Sequence, residues 1–204
     1  MSLRGILAGA MLLLLAGCVS PGPVPEAGDR LARALERFTL EGKVSWRHPE
    51  DRGRATLSWS QDAERFRLVL SGPLGRGAAV LEGDDDGVTL RDGDGVRTAA
   101  SAELLLGSAV GIPIPVAAAR YWVRGVAAPG PVEVTARDEA GRPAAIRQGA
   151  WAVAWPRRSA VDGLALPARI ELERPPLRLV IVAGRWRPGE VAWEGASGGE
   201  GTES

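Results

Sequence analysis

Few side chains in this sequence have chemistry beyond packing. The chain has one cysteine and one histidine. These are Cys18 and His48, too few for a Cys/His zinc site or an internal disulfide. His48 precedes Pro49 in a turn-rich stretch. It belongs to no Ser/His/Asp arrangement of recognisable pattern and reads as a solvated loop histidine. Two acidic runs, Asp84 to Asp86 and Asp92 to Asp94, carry the oxygens that calcium would take. Neither continues as Asp-x-Asp-x-Asp-Gly with a glutamate at the twelfth position, so both read as hairpin turns. No Gly-x-x-x-x-Gly-Lys-Ser/Thr loop offers a cradle for nucleotide phosphates. The expectation is a protein without catalytic residues, metal or cofactor. A formal charge of +0 from 25 basic and 25 acidic residues gives no sequence-wide attraction to nucleic acid. At 45% hydrophobic and 25% charged the chain is ordinary globular protein. The one reactive group left is the Cys18 thiol.

Its position says what that thiol does. Met1 to Gly5 includes Arg4, Ile6 to Ala16 is apolar apart from Gly9, and Gly17 and Cys18 follow. A charged start, a short apolar stretch and small residues make a secretion signal, too short to span the ~30 Å core of a bilayer. Leu15-Ala16-Gly17-Cys18 resembles the bacterial lipobox. That likeness implies a diacylglycerol thioether on the Cys18 sulfur, cleavage of residues 1–17, and an acyl chain on the new amino terminus. The covalent lipid on Cys18 is enough for stable anchoring, because two or three chains on one residue pass the threshold. Val19 stands where an inner-membrane lipoprotein usually has Asp. The implied location is therefore the outer membrane, lipid-anchored and facing the periplasm.

The elements that follow must position everything else. Residues 18–29 form a lipidated tether rich in proline and glycine. Asp29 is placed to cap a helix whose Leu31, Leu35 and Phe38 fall at i, i+4 and i+7. The period then drops to two. Leu40, Gly42, Val44 and Trp46 share a parity, as do Ala55, Leu57 and Trp59, and then Phe66, Leu68 and Leu70. Further alternating runs lie near 77–83, 87–92, 95–99, 131–137, 143–148, 150–155, 165–173 and 177–183, with Asp/Gly turns between many of them. About eleven short strands predict a mainly β fold, an antiparallel sheet curling into a barrel or sandwich. Ser101 starts a short helix through Leu106, and Val116 to Gly125 a second after Ile112-Pro113-Ile114-Pro115. Two apolar helices inserted in a curved sheet form either a plug that completes the core or a lid over a cavity.

Phe66 to Gly75, Gly111 to Pro115 and Tyr121 to Gly125 resemble, in order and spacing, the outer-membrane lipoprotein receptors of the LolB family. The likeness runs from about Phe38 to Trp186 and takes in Trp59, Trp151 and Leu164 to Pro167. It implies a half-open antiparallel barrel of eleven strands over residues 30–194, with helices partly covering its concave face; the Gly/Ser/Glu-rich composition of residues 195–204, not the resemblance, predicts a disordered tail. The implied task is to accept cargo lipoproteins from a LolA-like periplasmic carrier by holding their acyl chains in an apolar cavity. The receptor then inserts them into outer-membrane phospholipid, downhill in affinity and without ATP. It is expected to act as a monomer and not as an enzyme. Trp46, Trp59, Phe66, Leu68, Leu70, Leu81, Tyr121 and Trp122 are the cavity candidates, each of which ordinary packing would also explain. Leu74, between Pro73 and Gly75 in a loop of glycines, either folds back on the rim or protrudes. The resemblance implies that it protrudes and delivers cargo to the membrane. The alternative from a different class is a structural or assembly lipoprotein of the envelope with a filled barrel core; a lipid or glycan hydrolase has least support. Two features depart from the family. The chain continues past Trp186 to Ser204, and Lys43 is the one lysine among 25 basic residues, so contacts made by lysine elsewhere would have arginine geometry here.

Overall fold

A computed structural model describes residues 27–72, 78–110 and 114–193. Cys18, the loop with Pro73, Leu74 and Gly75, and residues 195–204 lie outside the described residues. A helix, α1 (Ala27–Ala34), leads into six strands: β1 (Arg37–Arg47), β2 (Arg52–Asp62), β3 (Arg65–Ser71), β4 (Ala78–Gly83), β5 (Val88–Asp92) and β6 (Gly95–Ala99). Two helices follow, α2 (Ala102–Val110) and α3 (Val116–Trp122). Five more strands complete the chain: β7 (Glu133–Arg137), β8 (Pro143–Gln148), β9 (Trp151–Val161), β10 (Leu164–Arg174) and β11 (Leu177–Pro188). All eleven belong to one sheet in the order β6-β5-β4-β3-β2-β1-β11-β10-β9-β8-β7, and every pairing is antiparallel. The edge strands β6 and β7 do not pair, so the sheet curls without closing, as expected of a half-open barrel. The α2–α3 segment links those two edges in sequence.

Asp/Gly turn chemistry sets the hairpins. Asp84 Oδ1 accepts from the Asp86 amide, Asp92 Oδ1 from the Asp94 amide, and Asp138 Oδ1 from those of Ala140 and Arg142, all at 2.9–3.0 Å. The acidic runs thus use their carboxylates to fold their own backbone.

Three elements differ from the sequence-based expectation. Helix α1 ends at Ala34 and Phe38 is the second residue of β1. The face α1 buries is marked by Ala32, while Leu31 is 56% exposed. Phe38 matches helical spacing by coincidence, being fixed by sheet pairing. Strand β9 runs on to Val161 through Pro156, which falls at a register shift where Ala154 pairs Glu171 and Arg157 pairs Arg169; a bulge is one place where a sheet tolerates proline. Strand β11 likewise continues past Gly184. The register jumps from Ala183 opposite Gly42 to Arg185 opposite Glu41, so Gly184 is the extra residue of a bulge. Next to it, a Cβ on Gly42 would lie 2.3 Å from the Val182 carbonyl oxygen, and only glycine allows that approach.

Candidate functional site

Paired residues of antiparallel strands point to the same side of the sheet, so the register identifies the inner face. Leu40, Trp59, Leu68, Leu81 and Leu90 form one row across five strands. Gly42, Leu57, Leu70 and Ala79 form the next, and Val44 and Trp46 continue the face along β1. Phe66 is opposite Gln61 and Gly83 on the same side. The six strand residues named from sequence therefore all lie on one face. The far half of the sheet adds Ile170 and Leu172, paired with Ile181 and Leu179.

This face has two parts. Phe38, Leu40, Leu57, Trp59, Leu81 and Leu172 are at most 5% exposed. Phe38 packs against Trp59 and edge-on to Trp186, with ring centroids 6.3 and 5.4 Å apart, and the helices supply Ala32, Leu105, Val116, Ala119 and Trp122 to the same core. Near the end of β3 and the start of β4 the cover thins. Val44, Trp46, Leu68, Leu70 and Ala79 are only partly buried there. That corner is also where the chain leaves Ser71 and returns at Ala78, the two anchors of the loop that holds Leu74. A cavity of about 160 Å³ reaches Phe66 beneath α3, and a trough of about 610 Å³ passes Trp46 on the rim. Neither is lined by Leu68 or Leu70.

Helix α3 is held across the opening of the sheet by polar contacts that the sequence did not reveal. Trp122 donates through Nε1 to Gln148 Oε1 at 2.8 Å and packs at a tilt against Trp151, ring centroids 6.1 Å apart, while Trp155 Nε1 donates to the Trp122 carbonyl at 2.7 Å. The Gln148 amide also accepts from the Ala128 amide at 3.0 Å and donates to its carbonyl at 2.8 Å. In the same last turn of α3, Arg120 donates to the Ala63 carbonyl and to Glu64 in the β2–β3 turn. Tyr121 does not join the apolar face but sits between the guanidiniums of Arg120 and Arg124, each 4.9 Å from its ring. Arg124 is buried and donates to the Leu35 and Arg120 carbonyls. Burial lowers its pKa from the usual arginine value. Arg158 clips the following loop, donating to Gly125, Pro143 and Ala165 carbonyls at 3.0–3.1 Å. A lone Gln at a strand end and arginines on backbone carbonyls carry no motif, and for that reason sequence reasoning passed over them.

Among the described residues no helix is long and apolar enough to cross a membrane. What the arrangement offers is apolar surface, half covered and half accessible. The protein family described as "Outer membrane lipoprotein LolB" matches residues 36–186. The chain is 36% identical over 192 residues to the outer-membrane lipoprotein LolB of Alkalilimnicola ehrlichii, covering 90% of this chain and 96% of that one. To the protein of the same name from Stutzerimonas stutzeri it is 35% identical over 201 residues, covering 93% and 98%. Among solved structures, a LolA superfamily protein from Nitrosomonas europaea has the same fold with a TM-score of 0.50 at 8% identity, over 78% of this chain and 89% of that one.

Proposed function

From the premise that the chain belongs to the outer-membrane lipoprotein LolB family, and is thus a lipoprotein-trafficking protein rather than an enzyme, we propose how it handles cargo. Acyl chains of a lipoprotein delivered by a LolA-like carrier lie along the half-covered corner of the concave face, against Leu68, Leu70, Val44 and Trp46. The observation that supports this is the gradient of cover along one apolar face. Each methylene moved out of water there is worth ~0.8 kcal/mol, so several together hold a chain. Water is a poor route for such a ligand. Carrier, receptor and bilayer must therefore hand it over in contact, each tenfold step in affinity needing ~1.4 kcal/mol.

Delivery then falls to the loop that leaves the same corner. Leu74 enters the lipid, flanked in sequence by Pro73 and Gly75, and the lipid on Cys18 keeps the monomeric receptor at the periplasmic face of the outer membrane. No nucleotide is consumed. The test is displacement of a fluorescent apolar probe by a triacylated peptide, followed by insertion of radiolabelled lipoprotein into liposomes. Competitive displacement is expected in wild type and in Leu74→Glu, with insertion impaired in Leu74→Glu alone. A protein that takes up no probe has a filled core and serves as an envelope scaffold. Equal insertion by Leu74→Glu and wild type would remove the role given to the loop.

A further inference from the structure

The outer face of the same strands carries a row that sheet stability does not explain. Arg47 of β1 pairs directly with Arg52 of β2 on one side and with Arg178 of β11 on the other. Three arginines thus occupy one row across three strands, of which, among the described residues, only Arg178 is paired, with Glu171. Like charges directly opposite one another destabilise a sheet, and such a local conflict points to a use for the residues elsewhere. Arg54, opposite Ser45, and Arg169 complete the basic lining of the trough of about 610 Å³, which reaches round the rim to Trp46. Lys43 continues the face one row further from the rim.

The acids facing this surface are few. Glu171 is already held by Arg169 and Arg178, at 2.7 Å each. Glu173 is opposite Arg178, and the β1–β2 turn has Glu50 and Asp51, of which Asp51 accepts the Trp46 indole N–H at 2.7 Å. Among the described residues, Arg47, Arg52 and Arg54 have no ion-pair partner. In a chain whose formal charge is +0, this is a segregated cationic surface.

We propose that this arginine surface docks on anionic phospholipid headgroups and sets the receptor's approach to the bilayer. Its place in the fold favours a membrane over an acidic protein. It lies at the end of the sheet where β3 ends and β4 begins. A half-exposed Trp46, apolar on its ring and hydrogen-bonded at its edge, borders it as tryptophans border lipid interfaces. The proposal rests on the reading above in one respect only: that this end of the molecule faces lipid.

Each basic side chain at an anionic surface is worth about fivefold in partitioning, and the attraction is screened by salt. The experiment is co-sedimentation of the full chain carrying Cys18→Ala, so that the anchor does not dominate. The vesicles are phosphatidylethanolamine with phosphatidylglycerol, or neutral phosphatidylcholine. The parent is expected to bind the anionic vesicles in a salt-sensitive way. Arg47→Gln/Arg52→Gln/Arg54→Gln is expected to lose about a hundredfold on anionic vesicles and nothing on neutral ones, while the triple Lys variant retains binding. Thermal unfolding of the Gln triple at or above the parent's midpoint excludes misfolding. If the Gln triple partitions like its parent, or slows only the uptake of cargo from the carrier, the surface serves a protein and the proposal is overturned. Leu74→Glu separates the two readings. If Leu74→Glu inserts cargo as wild type does while the Gln triple still loses vesicle binding, the loop assignment is wrong and the arginine surface stands.

Discussion

The two parts of the concave face share strands, parity and residue type, yet one is core and the other is accessible. Trp59 and Leu68 are direct cross-strand partners. Trp59 is 2% exposed, its indole N–H donating to Gln61 at 2.9 Å, whereas Leu68 is only partly buried. What separates them is the packing around them: Trp59 meets the Phe38 ring inside the cluster to which α1, α2 and α3 contribute, whereas Leu68 packs only against that cluster. An apolar inner surface thus becomes structure or binding site according to whether a helix lies on it. The first way to break the comparison is at its filled end. Trp59→Ala is expected to cost about 3–5 kcal/mol in urea unfolding, as for large aromatic truncations in packed cores. A cost under about 1 kcal/mol would mean that the filled end is not packed.

The cover itself is tested through Gln148. Gln148→Leu removes the amide that serves the Trp122 indole and both backbone groups of Ala128. Each stranded buried group costs about 1–3 kcal/mol, offset in part by solvent reaching the loop, so a loss of about 2–3 kcal/mol is expected. Hydrogen exchange should show the amides of Val123 to Ala128 opening first. Uniform destabilisation with no local opening there would mean that Gln148 is not what holds α3 across the sheet.

At the accessible end the balance of effects reverses. Leu68→Ala is expected to cost about 1 kcal/mol in stability, because much of the side chain already meets solvent. Displacement of an apolar probe by triacylated peptide should weaken by about tenfold, equivalent to ~1.4 kcal/mol. If Leu68→Ala destabilises as strongly as Trp59→Ala and leaves displacement unchanged, both ends are core.

Much of this fold was legible in the sequence. Period-two alternation in Leu40 to Trp46, Ala55 to Trp59 and Phe66 to Leu70 marked strands with one apolar side, the inward parity of each being fixed only by the register, and Asp/Gly pairs marked the hairpins. Those signals are local, and a sheet of consecutive hairpins is built from local signals. Boundaries failed where a distant strand overrode local composition. Pro156 and Gly184 look like breaks but are absorbed as bulges against β10 and β1, and Phe38 fits a helix until sheet pairing claims it. Which candidates would be covered was not legible. Cover depends on where α3 crosses, which rests on Gln148 and Arg120 reaching residues 26 and 57 positions away in sequence.

The polar devices of the two regions predict a difference in their response to acid. At the cover, Gln148 is neutral and its bonds do not titrate. Behind the accessible corner, hydrogen bonds from Arg169 and then Arg178 lower the pKa of Glu171 below its usual 4.5. A carboxylate lowered on folding adds stability that is fully present above the unfolded value and is lost as pH falls through the folded one. The group is well solvated, so the contribution is small. The thermal midpoint of wild type should therefore exceed that of Glu171→Gln at neutral pH, and the gap should close as pH falls below about 4.5. Gln148→Leu should lower the midpoint by the same amount across that range. A gap for Glu171→Gln that does not change with pH would show that Glu171 contributes by packing its arginines in place rather than by its charge, and the rim would then be as insensitive to acid as the cover.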